Sequence, residues 1–299
     1  MEKLAQGIWP ALCTPFDDSG ARVDPARVAP LVDALIGAGS AGFFVTGSTG
    51  EGAAMSPDER RLMATETARA VAGRVPLILQ VGACPTADAV ELARHAATVE
   101  GINAVASVAP VDAPNDLEAA TRHYAAVGAA TDLPFYVYWL ARTADDSVDA
   151  AQYLEAMRQV PNFAGVKFTD TNFFLFQQLV DLGGGRINMI SGPDEMCIAG
   201  LVMGADAAIG STYNIMPRLI IGMRRALLED RVADAMRDQA RANRVIALLI
   251  EVGVLAGIKA VLRWRGLPAG PPRPPAAPLS PEREAYLRAE LDALDFAVE

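Results

Sequence analysis

Eight short apolar runs punctuate the chain, each closed by turn residues and followed by a stretch of different period. They read "IWPALC" (8–13), "AGFFVT" (41–46), "PLILQV" (76–81), "NAVASV" (103–108), "PFYVYW" (134–139), "FAGVKF" (163–168), "INMIS" (187–191) and "DAAIGS" (206–211). Runs of this length and composition read as buried strands. The intervening segments, such as "SPDERRLMATETARAVAG" and "TADAVELARHAATVEG", carry Ala, Leu and Arg at helical period. The first opens with Ser56 as an N-cap, Pro57 at the first helical position and Glu59 in the capping-box place.

Eight strand–helix units within residues 1–216 predict an α/β fold, a closed (β/α)8 TIM barrel. An open doubly wound sheet is the rival, and it requires fewer strands or a second domain. Residues 217–299 carry no strand signal and are expected to form a C-terminal helical extension packed on the barrel. Helices are expected over 217–266 with breaks near Gly253 and Gly257, then an extended connector, "LPAGPPRPPAAP" (267–278), then a capped helix from "SPEREAYLRAELDALDFA". The chain is 52% hydrophobic, so a large core is available. A net charge of −10 argues against nonspecific binding to nucleic acid or an anionic membrane. No run approaches the length of a membrane span, and the start "MEKLAQGIWP" lacks the apolar core of a signal peptide. Cys13, Cys84 and Cys197 are far apart and match no metal spacing, which reads as buried thiols in a reduced, cytoplasmic protein.

A barrel places its chemistry at the C-terminal strand ends. Strand two ends in "TGSTGEG", which offers Ser48, Thr49 and the N–H groups of a glycine turn. Strand five presents Tyr136, Tyr138 and Trp139, and strand six carries Lys167 and Thr169. Strand seven ends in "SGPDE" and strand eight in "GSTYN". Lys167 is conspicuous, because only Lys3, Lys167 and Lys259 occur among 26 lysines and arginines, and it interrupts an apolar run. It is either a side chain snorkelling from a strand end or a functional amine. Strand parity lets Tyr138 and Lys167 converge in the barrel mouth. A desolvated amine is more readily neutral, and a neutral amine attacks a ketone to give a Schiff base. A nearby tyrosine moves protons. The hydroxyl-bearing glycine turn suits a carboxylate, and together the three suggest a 2-oxo acid substrate.

Each piece has a plainer reading. "GSTGE" lacks a phosphate-loop lysine and can be a tight strand–helix turn. Tyr136 and Trp139 read as packing residues, and Tyr213 fits either role. Asp194 and Glu195 can simply start the following helix. His95 and His123 lie in helical stretches as surface or packing groups, and no HExxH or paired cysteines point to a metal.

Taken in order, "ALCTPFDDSG", "GSTGE", "YVY", "GVKFT", "GPDE" and "GADAAIGSTYNIM" resemble the dihydrodipicolinate synthase / N-acetylneuraminate lyase family of class I Schiff-base aldolases. "GSTGE" and "GSTYNIM" resemble the lyase branch more closely. The resemblance implies Lys167 as the Schiff-base lysine, Tyr138 as the proton relay and Ser48–Thr49 as the pyruvate-carboxylate turn, with the Ser48 hydroxyl in the relay. It implies that Thr169, Gly192, Asp194, Glu195 and Ser211 contact the hydroxylated tail of a 2-oxo-3-deoxy sugar acid. It also implies a homotetramer of paired dimers that needs no cofactor. Two segments depart from the pattern. After strand four the family's inter-subunit tyrosine is absent from "APVDAPND", where Val111, Asp112 and Ala113 stand. After Tyr138 the chain reads "WLARTADD" instead of Asn-x-Pro, and Arg142 is the candidate to hold a second substrate carboxylate. Dihydrodipicolinate synthase and a sugar-acid dehydratase are the alternative activities. A barrel that binds a 2-oxo acid without turnover is the non-enzymatic one.

Overall fold

The computed structural model describes residues 3–144 and 147–296, so Asp145 and Asp146, the end of "WLARTADD", lie outside the described residues. Eight parallel strands form the barrel: β1 (Gly7–Pro10), β2 (Phe43–Val45), β3 (Leu77–Gln80), β4 (Ala104–Val108), β5 (Phe135–Leu140), β6 (Phe163–Thr169), β7 (Asn188–Ser191) and β8 (Ala207–Gly210). Hydrogen bonding runs β1-β8-β7-β6-β5-β4-β3-β2. The ring closes through a parallel bridge between Ala11 and Phe44, where the Leu12 N–H donates to the Phe44 carbonyl at 2.9 Å. The predicted strand for each run is present. Most are shorter than the apolar stretch, because the chain leaves the sheet early. At the end of β2, Thr46 turns to φ 57° and begins the glycine turn.

Helices follow the strands in alternation: α1 (Val28–Gly37), α2 (Pro57–Val71), α3 (Thr86–Thr98), α4 (Leu117–Gly128), α5 (Ala150–Met157), α6 (Phe173–Gly183), α7 (Cys197–Val202) and α8 (Pro217–Leu228). The α2 start is the capping box that the sequence predicts: Ser56 Oγ accepts from the Glu59 N–H, and the Glu59 carboxylate accepts from the Ser56 N–H. α8 packs on β1 and α7. Beyond it lie α9 (Val232–Val252), α10 (Val254–Trp264) and α11 (Pro281–Ala293).

Two cores result. Inside the barrel, Trp9, Phe44, Ile78, Tyr136, Ile190 and Ile209 interleave with alanines such as Ala104, Ala106 and Ala207. Between barrel and helices lies a larger aliphatic and aromatic shell. Both strand faces are thus dry, which is why each run reads as apolar throughout. The N-terminal end of the barrel is sealed by Asn188, which accepts from Tyr136 Oη at 2.8 Å and from the Ala5 N–H at 2.7 Å.

Two expectations need correction. Of the two glycines, Gly253, at φ 106°, breaks the helices, and α9 and α10 meet there at 111°; the other break in this stretch lies at residues 229–231, between α8 and α9. Gly257 sits inside α10. A Cβ at Gly257 would lie 2.6 Å from Leu249 Cδ2, so the glycine permits close helix packing and does not end a helix. Cys13 and Cys197 are buried, but Cys84 is exposed, because its loop after β3 runs over the barrel mouth and not into the core. Among the described residues, no single helix is long and apolar enough to cross a membrane.

Candidate active site

The centre is set by the register of β5 and β6, which pairs Tyr138 with Lys167 directly. Lys167 is only 4% exposed, which excludes a snorkelling surface lysine. Its Nζ lies 3.9 Å from the Tyr138 ring centroid and 5.3 Å from that of Phe44, and donates to Thr169 Oγ1 at 2.9 Å. No carboxylate pairs with it at salt-bridge distance among the described residues. Tyr138 Oη is 3.4 Å from Ser48 Oγ. Burial pushes the Tyr138 phenol up. The nearby Lys167 charge and the Ser48 hydroxyl outweigh burial, so the phenol lies below the ordinary tyrosine value.

The "GSTGEG" turn is held from several sides. Thr46 and Glu51, at φ 57° and 54°, adopt the left-handed conformation without being glycine. The Gly52 N–H donates to the Gly47 carbonyl, and a Cβ at Gly52 would sit 2.0 Å from the Thr46 carbonyl oxygen. Ser48 is exposed to the mouth, while Thr49 is buried and its Oγ1 is 2.8 Å from Ser211 Oγ. That contact brings the ends of β2 and β8 together.

Gly192 follows β7. Its N–H donates to the Phe168 carbonyl at 2.8 Å, and a Cβ there would lie 2.0 Å from Thr169 Oγ1, so only glycine lets this loop pass beside Lys167's partner. Asp194 is buried and does more than start a helix. Its Oδ2 accepts from both the N–H and the hydroxyl of Thr212 at 2.7 Å. Burial raises its carboxyl to about 6 against the lowering effect of those bonds. Glu195 is exposed, and its backbone carbonyl accepts from Asn243.

Arg142 lies apart, on the wall of a cavity of about 350 Å³ that shares Ser48 and Tyr138 with the lysine cluster and extends toward Gln80, Val108 and Arg60. Asp194, Glu195 and Ser211 do not line that cavity. The predicted residues thus divide into a cluster at Lys167, a rim toward β7 and β8, and Arg142 on the opposite side. Tyr136 and Trp139 pack as expected, Trp139 stacking on Phe168 with ring centroids 5.5 Å apart. Tyr213 is fully buried beside Cys197, a packing role. His95 and His123 lie on α3 and α4, and His123 is buried between Ser107 and Thr86 hydroxyls. Among the described residues no three His, Cys, Asp or Glu side chains form a metal-ligating group.

Sequence reading passed over two neighbours of the site. Arg60 is buried on α2 and donates to the Gly82 and Gln80 carbonyls and to Gln80 Oε1. Nothing distinguishes it locally from the many other arginines. Glu51, inside the turn, pairs with Lys259 of α10 at 2.5 Å. The signal for that pair was present in the scarcity of lysine, since Lys259 also interrupts an apolar stretch, "AGIKAVL".

The sequence matches the model of the dihydrodipicolinate synthetase family over residues 4–294. It is 38% identical over 271 residues to the N-acetylneuraminate lyase of Rhizobium meliloti strain 1021, covering 90% of this chain and 89% of that protein. It is 36% identical to the N-acetylneuraminate lyase of Salmonella typhimurium strain LT2, covering 97% of this chain and 96% of that one. The structure is similar to that of Proteus mirabilis N-acetylneuraminate lyase, with TM-score 0.92 at 30% identity over 99% of this chain and 100% of that chain. The Aliivibrio salmonicida enzyme of the same name gives TM-score 0.93 at 28% identity over 99% of each chain. With a family match spanning nearly its whole length, the chain belongs to the dihydrodipicolinate synthetase family.

Proposed function

We propose that the chain is a class I pyruvate aldolase that cleaves a 2-oxo-3-deoxy sugar acid, N-acetylneuraminate or a close analogue, to pyruvate and an aldehyde sugar. The observation that carries this reading is a buried amine at Lys167, with no carboxylate at ion-pair distance among the described residues, stacked against Tyr138, with the Tyr138 hydroxyl beside Ser48. The N-acetylneuraminate lyase relatives favour it over the synthase and dehydratase alternatives.

The Lys167 amine attacks the C2 ketone, and loss of water from the carbinolamine leaves a protonated imine. Tyr138, as the phenolate, takes the proton of the C4 hydroxyl. The C3–C4 bond breaks, its electrons pass into the iminium to give an enamine, and the aldehyde departs. Protonation at C3 and hydrolysis release pyruvate and restore the amine. A phenol held below its ordinary value by the Lys167 charge suits the proton-accepting role. The Ser48–Thr49 turn holds the carboxylate, and Ser48 extends the relay. Thr169, Gly192, Glu195 and Ser211 form the face toward the hydroxylated tail. Asp194 joins them through Oδ1, because its Oδ2 is committed to Thr212. Arg142 reaches the substrate from the opposite wall. A homotetramer, a cytoplasmic location and the division into barrel (1–216) and helical extension (217–299) belong to the same reading. Light scattering tests the tetramer.

The deciding assay offers purified protein a panel of 2-oxo-3-deoxy sugar acids and measures pyruvate release. Pyruvate from N-acetylneuraminate or a close analogue is expected. Release from none of the panel refutes the aldolase reading, and loss of water without pyruvate replaces it with a dehydratase.

A further inference from the structure

The turn that carries Ser48 and Thr49 continues directly into Glu51, whose side chain is buried against α10 and the proline-rich connector. Its Oε1 lies 2.5 Å from Lys259 Nζ, and its Oε2 accepts from the Arg273 N–H at 2.6 Å. Lys259 sits on α10 at 3% exposure. Its Nζ lies 4.4 Å from the Phe16 ring centroid and donates to the Pro271 carbonyl at 3.3 Å. Arg273, from the proline-rich connector, stacks on the same Phe16 ring at 4.0 Å. It also binds both Glu59 carboxylate oxygens and the Gly20 and Ala54 carbonyls. Helix α10 and the connector therefore converge on a single residue of the turn.

Burying two charges is a poor way to gain stability, because desolvation offsets their attraction and apolar pairs of similar volume serve as well. Such a pair does fix one conformation. Glu51 needs fixing, since it adopts φ 54°, a strained conformation for a residue with a Cβ. Its N–H also donates to the Ser48 carbonyl at 3.1 Å, so any shift of Glu51 is felt at Ser48 and Thr49.

We propose that the Glu51–Lys259 ion pair is a positioning device, through which the C-terminal helices hold the Ser48–Thr49 turn in the geometry that receives the substrate carboxylate. This rests on the reading of that turn as the carboxylate site. Neither residue touches substrate; each acts through the turn.

The test reads the pyruvate dependence of the Lys167 adduct trapped by borohydride in the full chain. Glu51→Gln and Lys259→Met raise the half-saturating pyruvate concentration by roughly 10- to 100-fold, the scale of a misplaced binding group, with maximal trapping retained. Lys259→Arg, which keeps the cation, returns the value toward wild type. Where a charge-removing variant does not fold, Glu51→Asp gives the same readout, because it keeps the charge but draws the carboxylate back by one methylene. A lowered melting temperature with unchanged half-saturation in the folded variants shows a purely structural pair and overturns the proposal. An absence of any adduct in the wild type is a different result, and refutes the aldolase reading itself.

Discussion

Tyr138→Phe isolates the proposed proton relay from the packing of the Tyr138 ring. The ring stays, and with it the edge contact to Phe44 (centroids 5.5 Å apart, planes at 80°) and the face 3.9 Å from Lys167 Nζ. What disappears is the hydroxyl, with its 3.4 Å approach to Ser48. The Ser48 contact is long and Ser48 is exposed, so the stability change is on the order of 1 kcal/mol or less. Turnover should fall by roughly 10²–10⁴-fold, equivalent to about 3–5 kcal/mol of barrier, the usual scale of acid–base assistance. Schiff-base formation with pyruvate is slowed but not abolished, because the amine is untouched. Steady-state pyruvate release and single-turnover borohydride trapping, measured on the same preparation, separate the two effects. Turnover within a few-fold of wild type, with a melting curve also unchanged, would remove Tyr138 from the mechanism.

Two further outcomes bear on the rim. Gly192→Ala drives a Cβ to within 2.0 Å of Thr169 Oγ1, which displaces the hydrogen-bond partner of Lys167 Nζ; turnover should drop by roughly 10²-fold, and full activity would show that the loop yields. Asp194 titrates near 6 in the folded chain against 3.8 in its ordinary state. The native protein thus binds the extra proton between those values, and stability falls as pH rises from about 4 to 6. Asp194→Asn should flatten melting temperature against pH across that window, and a slope identical to wild type would contradict the assignment.

The architecture was legible because a parallel barrel is dry on both strand faces, so each strand announces itself as an apolar run between turns. The Lys167–Tyr138 encounter was legible for a related reason: period-two parity on neighbouring strands fixes which side chains share a face, and β5–β6 register delivers it. Contacts between distant segments were not legible. Glu51 lies in plain view within "GSTGEG", yet its partners come from α10 and the proline-rich connector, and no local pattern links them. Gly257 misled for the opposite reason. A glycine in a helical stretch signals either a break or a close approach, and only the position of Leu249 decides between them. The sequence alone allows Asp194 a helix start or a substrate contact; its hold on Thr212 depends on the β7 and β8 ends meeting in space.

The proposed nucleophile is Lys167. Incubation with pyruvate and borohydride, proteolysis and mass mapping test it directly. One reduced pyruvyl adduct is expected on the peptide containing Lys167, with Lys3 and Lys259 unmodified and no adduct in Lys167→Ala. An unmodified Lys167 in active protein, or an adduct that persists in Lys167→Ala, contradicts it.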